Sequence, residues 1–225
     1  MNRWMTRAAL LAATAVLSAC GGGGSSTPAT TYNLDAASSN LTASARSFTL
    51  TASATNGAAL TLVWSIAPVG SAVFPLTNTA GQRVDSSVVI TSGSIELLNG
   101  SQQSFFDSSH KGLGSVLPFG ACTQADDKPL PTDAMPGSSG DLGTDSIYQT
   151  CSLSAPVIGS IAGTWSLEQK SVDAVYLCAN TRQLDAVGGE VSRESDCVEV
   201  APDGSIGTRA RVTVNVQGVV LTFAN

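Results

Sequence analysis

Polar and apolar residues alternate from Tyr32 onward. Phe48, Leu50 and Ala52 are interleaved with Thr49, Thr51 and Ser53, the period of a strand with one buried face. Asn56-Gly57 follows, and then Leu60, Leu62, Trp64 and Ile66 alternate again. Two such runs around Asn-Gly predict a β-hairpin, because only residues tolerant of positive φ build its tight turn. Val84, Ser86, Val88 and Ile90 predict a third strand and Ile95 and Leu97 a short fourth, with a turn at Asn99-Gly100.

Between residues 101 and 159 the period fades, and Gly, Ser, Pro and Asp are frequent. Asp126 to Asp145 reads as a long exposed loop between Cys122 and Cys151. Strand character then returns. Ile161, Trp165 and Leu167 share one face, and Val175 and Leu177 another. Val198 and Val200 lead to a turn at Pro202-Asp203-Gly204. Val212, Val214 and Val216 are set to pair across Gln217-Gly218 with Val219, Leu221 and Phe223.

The run from Ser39 to Pro68 resembles the opening strands of bacterial immunoglobulin-like modules: Thr-Leu-Thr, a turn, then an aliphatic-Trp-Ser strand. That resemblance implies a sandwich with Trp64 packed between two sheets. Ala162-Gly163-Thr164-Trp165, with the later Asp203-Gly204-Ser205, is similar to small meander domains of bacterial lipoproteins, some of them barrel-like. The expected fold is all-β: an antiparallel immunoglobulin-like sandwich over residues 32–100, then a disulfide-containing β domain over 101–225 with a long loop at 122–151.

The first 19 residues change the picture of where the chain resides. Arg3 and Arg7 precede an apolar run from Ala8 to Leu17, too short to span a bilayer but suited to a secretory signal. Leu17-Ser18-Ala19-Cys20 resembles the lipobox of bacterial lipoproteins. The resemblance implies a signal peptide over 1–19, diacylglycerol on the Cys20 sulfur, and a third acyl chain on its amine. Several chains hold a protein firmly, at roughly 0.8 kcal/mol per buried methylene. Gly21 is not aspartate, which by the related sorting rule points to the outer membrane. Residues 20–31, glycine- and serine-rich, form a flexible tether.

Composition then excludes some partners. The 225 residues carry 11 basic and 17 acidic side chains, and few charges overall. Nucleic acid is therefore not an expected ligand. Cys122, Cys151, Cys178 and Cys197 remain after Cys20, and an even number in an exported chain implies two disulfides. Of the three connectivities, the local pairs Cys122–Cys151 and Cys178–Cys197 are favoured. Without a CxxC, and with His110 as the one histidine, zinc is not expected.

Three groups of residues carry candidate chemistry. Asp107, Ser108, Ser109 and His110 contain the components of a nucleophilic triad, though adjacency in sequence does not build one. Asp126, Asp127, Asp133, Asp141 and Asp145 offer the oxygen ligands that calcium prefers, at spacings matching no known calcium loop. Trp165 and Tyr176 could stack on a sugar, while Arg209 and Arg211 share a strand face that reads as solvated. No cofactor motif is present. The expected function is that of a lipid-anchored, non-enzymatic envelope protein binding a protein or glycan. The alternatives are a small-ligand carrier with a barrel-like C-terminal domain, or a hydrolase of envelope polymers.

Overall fold

Each alternating run from Phe48 onward becomes a strand, and the strands pair in chain order. The structure, a computed structural model, describes residues 30–54, 57–171, 174–216 and 218–225. Cys20 with its lipobox, the tether up to residue 29, and the turn residues Asn56 and Gln217 lie outside the described residues. A helix α1 (Leu34–Ala43) comes first. The strands β1 (Arg46–Ser53), β2 (Ala59–Phe74), β3 (Thr79–Ser92), β4 (Ile95–Phe106), β5 (Gly112–Val116) and β6 (Cys122–Gln124) follow. They continue as β7 (Ser139–Tyr148), β8 (Val157–Ser171), β9 (Ala174–Asp185), β10 (Glu190–Val200), β11 (Ile206–Val216) and β12 (Val219–Ala224).

All neighbouring pairs are antiparallel, and Thr51 of β1 stands opposite Ala224 of β12, so the sheet closes into one barrel of 12 strands. This corrects the expected sandwich followed by a second domain. β1 to β4 are a third of a sheet that runs on without a break through β5 to β12. Alternation specifies a strand and its buried face but not the partner of the last strand, and closure removes both unpaired edges at once. The hairpins at β1–β2 and β11–β12 form in the expected register, with Leu50 opposite Leu62, Val212 opposite Phe223 and Val214 opposite Leu221. Asn99-Gly100 is not a turn but lies inside β4. The chain reverses at Gly93, whose φ of 58° suits the turn. Residues 139–148, expected within the loop, form β7.

Both disulfides join the favoured pairs, Cys122–Cys151 and Cys178–Cys197. The second links directly opposed residues of β9 and β10. On the outer face Arg211 covers it, its Nη2 donating to Cys197 Sγ at 3.0 Å and to Glu168 Oε2 at 2.7 Å.

Inside the barrel the main core gathers Phe48, Leu50, Leu62, Trp165, Leu167, Val198, Val212 and Phe223, all buried, with Trp64 packed against them. The opposite arc of the inner wall is polar: Ser86, Gln102, Ser104, Ser115 and Thr123 share that face by register. The Thr123 hydroxyl, fully buried, accepts the Ser115 N–H at 3.0 Å. Outward positions include Ser47, Thr49, Thr51, Arg209, Arg211 and Thr213.

The helix closes the end of the barrel that holds this core. It replaces the expected strand character near Tyr32. Asn33 caps it by accepting the Ala36 N–H at 2.9 Å, and Leu34 and Ala37 are fully buried in the core. The β10–β11 turn meets it so closely that a Cβ on Gly204 would lie 2.7 Å from Ala36 Cβ. Beside the helix, residues 129–138 complete the plug. Tyr32 and Ala134 exchange two backbone hydrogen bonds, and Leu34 N–H donates to Pro131 O at 3.0 Å.

Candidate functional site

Between α1 and the inner wall lies a cavity of about 420 Å³. Three segments shape it. Helix α1 supplies Asp35, Ser38 and Ser39. The β4–β5 turn supplies Ser109, His110 and Lys111. The segment after β6, with β7 and β8, supplies Asp127, Lys128, Asp145 and Ile161.

Local geometry explains these placements. In the β4–β5 turn Asp107 Oδ1 accepts the N–H groups of Ser109 (2.7 Å) and Lys111 (3.1 Å), which fixes the loop and lifts His110 to φ 61°. Asp107 is therefore a turn builder. Among the described residues the His110 ring has no hydrogen bond to a serine or carboxylate, so the geometry assembles no nucleophile–base pair from this tetrad. Next to it, the chain after β6 runs against β7, Lys128 N–H donating to Leu142 O at 3.0 Å. The approach requires glycine at 143: a Cβ there would lie 1.9 Å from Asp126 O.

The five aspartates then separate. Asp126 is exposed and pairs with Lys128 at 3.2 Å. Asp133 is exposed on the plug. Asp141 accepts the Gly143 N–H on the far side of a bulge. Asp127 and Asp145 line the cavity, each with one oxygen engaged by a backbone donor: Gly112 N–H at 2.7 Å and Asp126 N–H at 3.3 Å. Their second oxygens have no protein partner among the described residues. Glu168, Cys178 and Cys197 also lie within ligand distance of one another, but the two sulfurs are bonded to each other and hold no thiolate for a metal.

Burial sets the electrostatics. Loss of hydration, reinforced by Asp127 and Asp126, raises Asp145 from 3.8 to about 6. Asp127 is raised too, chiefly by burial, against the pull of the Gly112 N–H and of Lys111. Further along the interior, Glu194 and Asp196 of β10 face the lumen from neighbouring inward positions. Both are raised by burial, Asp196 also by the Glu194 charge. Glu194 keeps an open surface toward Ser86 and Gln102 across a space of about 180 Å³.

One expected result follows from Asp145. Its folded pKa lies above its unfolded value, so the native state binds a proton more readily, and stability falls as pH rises from about 4 to about 6. Asp145→Asn removes that cost. We expect the variant to match the parent at pH 4 and to exceed it at pH 7.5 by about 1–3 kcal/mol. The charged groups acting on Asp145 are Asp126 and Asp127, and neither is altered by the change. Urea unfolding at both pH values checks it; equal differences at pH 4 and 7.5 would reject the burial of this carboxyl.

Sequence reasoning found Asp127, Asp145, Ser109 and His110 but missed that they meet. It missed Lys111 and α1 altogether. The helix was marked by Asn33 as a cap and by Leu34, Ala37 and Leu41 at helical spacing. Trp165 and Tyr176, the sugar-stacking candidates, are buried on opposite faces of the sheet and form no platform. Comparison with family models, curated proteins and solved structures gives no match to this chain.

Proposed function

We propose that the chain is a lipid-anchored envelope protein, without catalytic chemistry of its own, that holds a small polar ligand in the cavity beneath α1. The observation that carries this reading is the cavity: about 420 Å³, inside the range of small-molecule sites, with two partly unpartnered carboxylates on its wall. Capture of a protein or glycan by a free loop at 126–145 has less support, since that segment is divided between a packed plug and β7.

The anchor and the cavity belong together in this reading. The described chain begins beside α1, at the cavity end. A tether from Cys20 to Tyr32 reaches at most about 45 Å at roughly 3.5 Å per residue. The ligand is then received close to the membrane, and by the lipobox resemblance that membrane is the outer one.

A two-arm experiment tests the proposal. Mass spectrometry of the membrane-extracted chain is expected to show an acylated N-terminal Cys20. An unmodified cysteine, or cleavage elsewhere, removes the anchor. In the second arm, a panel of small amines, acids and polyols is titrated into the isotope-labelled mature chain. Amide shifts are expected to concentrate at Lys111, Gly143, Gly163 and Thr181. Shifts confined to the hairpin tips at the other end of the barrel, or none at all, would overturn the cavity reading.

A further inference from the structure

The cavity offers both signs of charge. Lys128 is already neutralised by Asp126, at 3.2 Å, and points its ammonium at that exposed carboxylate. Lys111 is different. Its side chain makes no ion pair among the described residues, yet it is close enough to Asp127 to act on that carboxyl through space. Asp145 accepts a single long hydrogen bond, 3.3 Å from the Asp126 N–H. The pocket thus presents Lys111, with no ion pair among the described residues, and three carboxylates, Asp35, Asp127 and Asp145, the last two each with a free oxygen.

From this arrangement we infer that the cavity takes a small zwitterion of dipeptide size, its ammonium between Asp145 and Asp127 and its carboxylate on Lys111. The inference rests on the small-ligand reading above and names the chemical class. Charge decides between the candidates. A simple anion would gain Lys111 but meet Asp35, Asp127 and Asp145. A simple cation would gain the carboxylates but meet the repulsion of the Lys111 ammonium beside Asp127. A molecule with both groups satisfies Lys111, Asp127 and Asp145 together, and charge-assisted hydrogen bonds of this kind are about twice as strong as neutral ones. The volume leaves room for a dipeptide, because about 420 Å³ exceeds what a single small amino acid fills. Ser38, Ser39 and Ser109 leave hydroxyls on the wall for the peptide group between the charged ends.

The test uses the mature chain and four probes, measured by calorimetry at pH 8 with amide shifts recorded in parallel. They are L-alanyl-L-alanine, its N-acetyl form, its C-terminal amide, and the doubly capped peptide. The zwitterion is expected to bind at least tenfold more tightly than either singly capped form. Asp145→Asn is expected to reduce the penalty for N-acetylation several-fold while keeping that for amidation. Lys111→Gln is expected to do the reverse. Both side chains are on the cavity wall and outside the apolar core, so the variants should fold, and the two crossed outcomes control for each other. Equal binding of all four peptides with shifts at the cavity would overturn the zwitterion and leave the small-ligand reading standing. Cavity shifts from none of them, alongside shifts from other panel compounds, would overturn the zwitterion alone. The absence of cavity shifts from every compound would overturn both.

Discussion

Leu34→Ala is expected to lower the unfolding free energy by about 2–5 kcal/mol, the range for deleting a fully buried leucine side chain. Leu34 has no exposed surface and belongs to the same core as Phe48, Leu62, Leu167 and Phe223. The helix start is held to the rim of the barrel by the Pro131 and Pro202 carbonyls, which accept the Leu34 and Asn33 N–H groups, and this resists collapse into the space. For a chain of this size the melting temperature should drop by roughly 4–20 °C. The consequence reaches the site, because α1 supplies one wall of the cavity. Leu34→Ala should therefore weaken peptide binding even at temperatures where the barrel stays folded. Leu41→Ala, further along the same helix and only partly buried, should cost less on both counts. Thermal unfolding followed by circular dichroism, with binding measured well below the transition, separates the effects. Equal and small losses for both variants would mean that the helix is not seated as described.

What could be read from the chain was local. Phe48 to Ala52, Leu60 to Ile66 and Val212 to Phe223 announce their strands because a two-residue period needs nothing but neighbours. The two disulfide pairs were legible for a related reason: they link positions 29 and 19 apart, and one of them spans a single hairpin. Closure was not legible. Whether β12 meets β1 or leaves an open edge depends on the twist accumulated over the whole sheet, which no window of sequence records. The cavity escaped notice for the same cause. Lys111, Asp127 and Asp145 stand on three segments, and only the barrel's curvature, with α1 laid across its end, brings them together. Asn99-Gly100 shows the opposite error. A good turn dipeptide stays extended there because Val88 and Val89 on β3 pair with it, and the nearby Gly93 turns instead.

The central claim is that one closed barrel, rather than two domains in series, forms the site. Its most direct test is the seam. Thr51 and Ala224 are directly opposed, both exposed on the outer face, and the Thr51 hydroxyl donates to Ala224 O at 3.4 Å. Directly opposed antiparallel residues have Cα atoms about 4.5–5.5 Å apart, within reach of a disulfide. Thr51→Cys with Ala224→Cys, in a chain whose Cys20 is replaced by serine, is expected to oxidise spontaneously during secretion-like refolding. The bond would tie nearly the whole chain into a loop and should add about 5 kcal/mol on the chain-entropy model. Peptide mapping that finds the 51–224 linkage beside the two native disulfides, with a raised melting temperature, is the predicted result. Two free thiols at 51 and 224 in an otherwise native, correctly bridged chain would contradict the barrel, and with it the cavity.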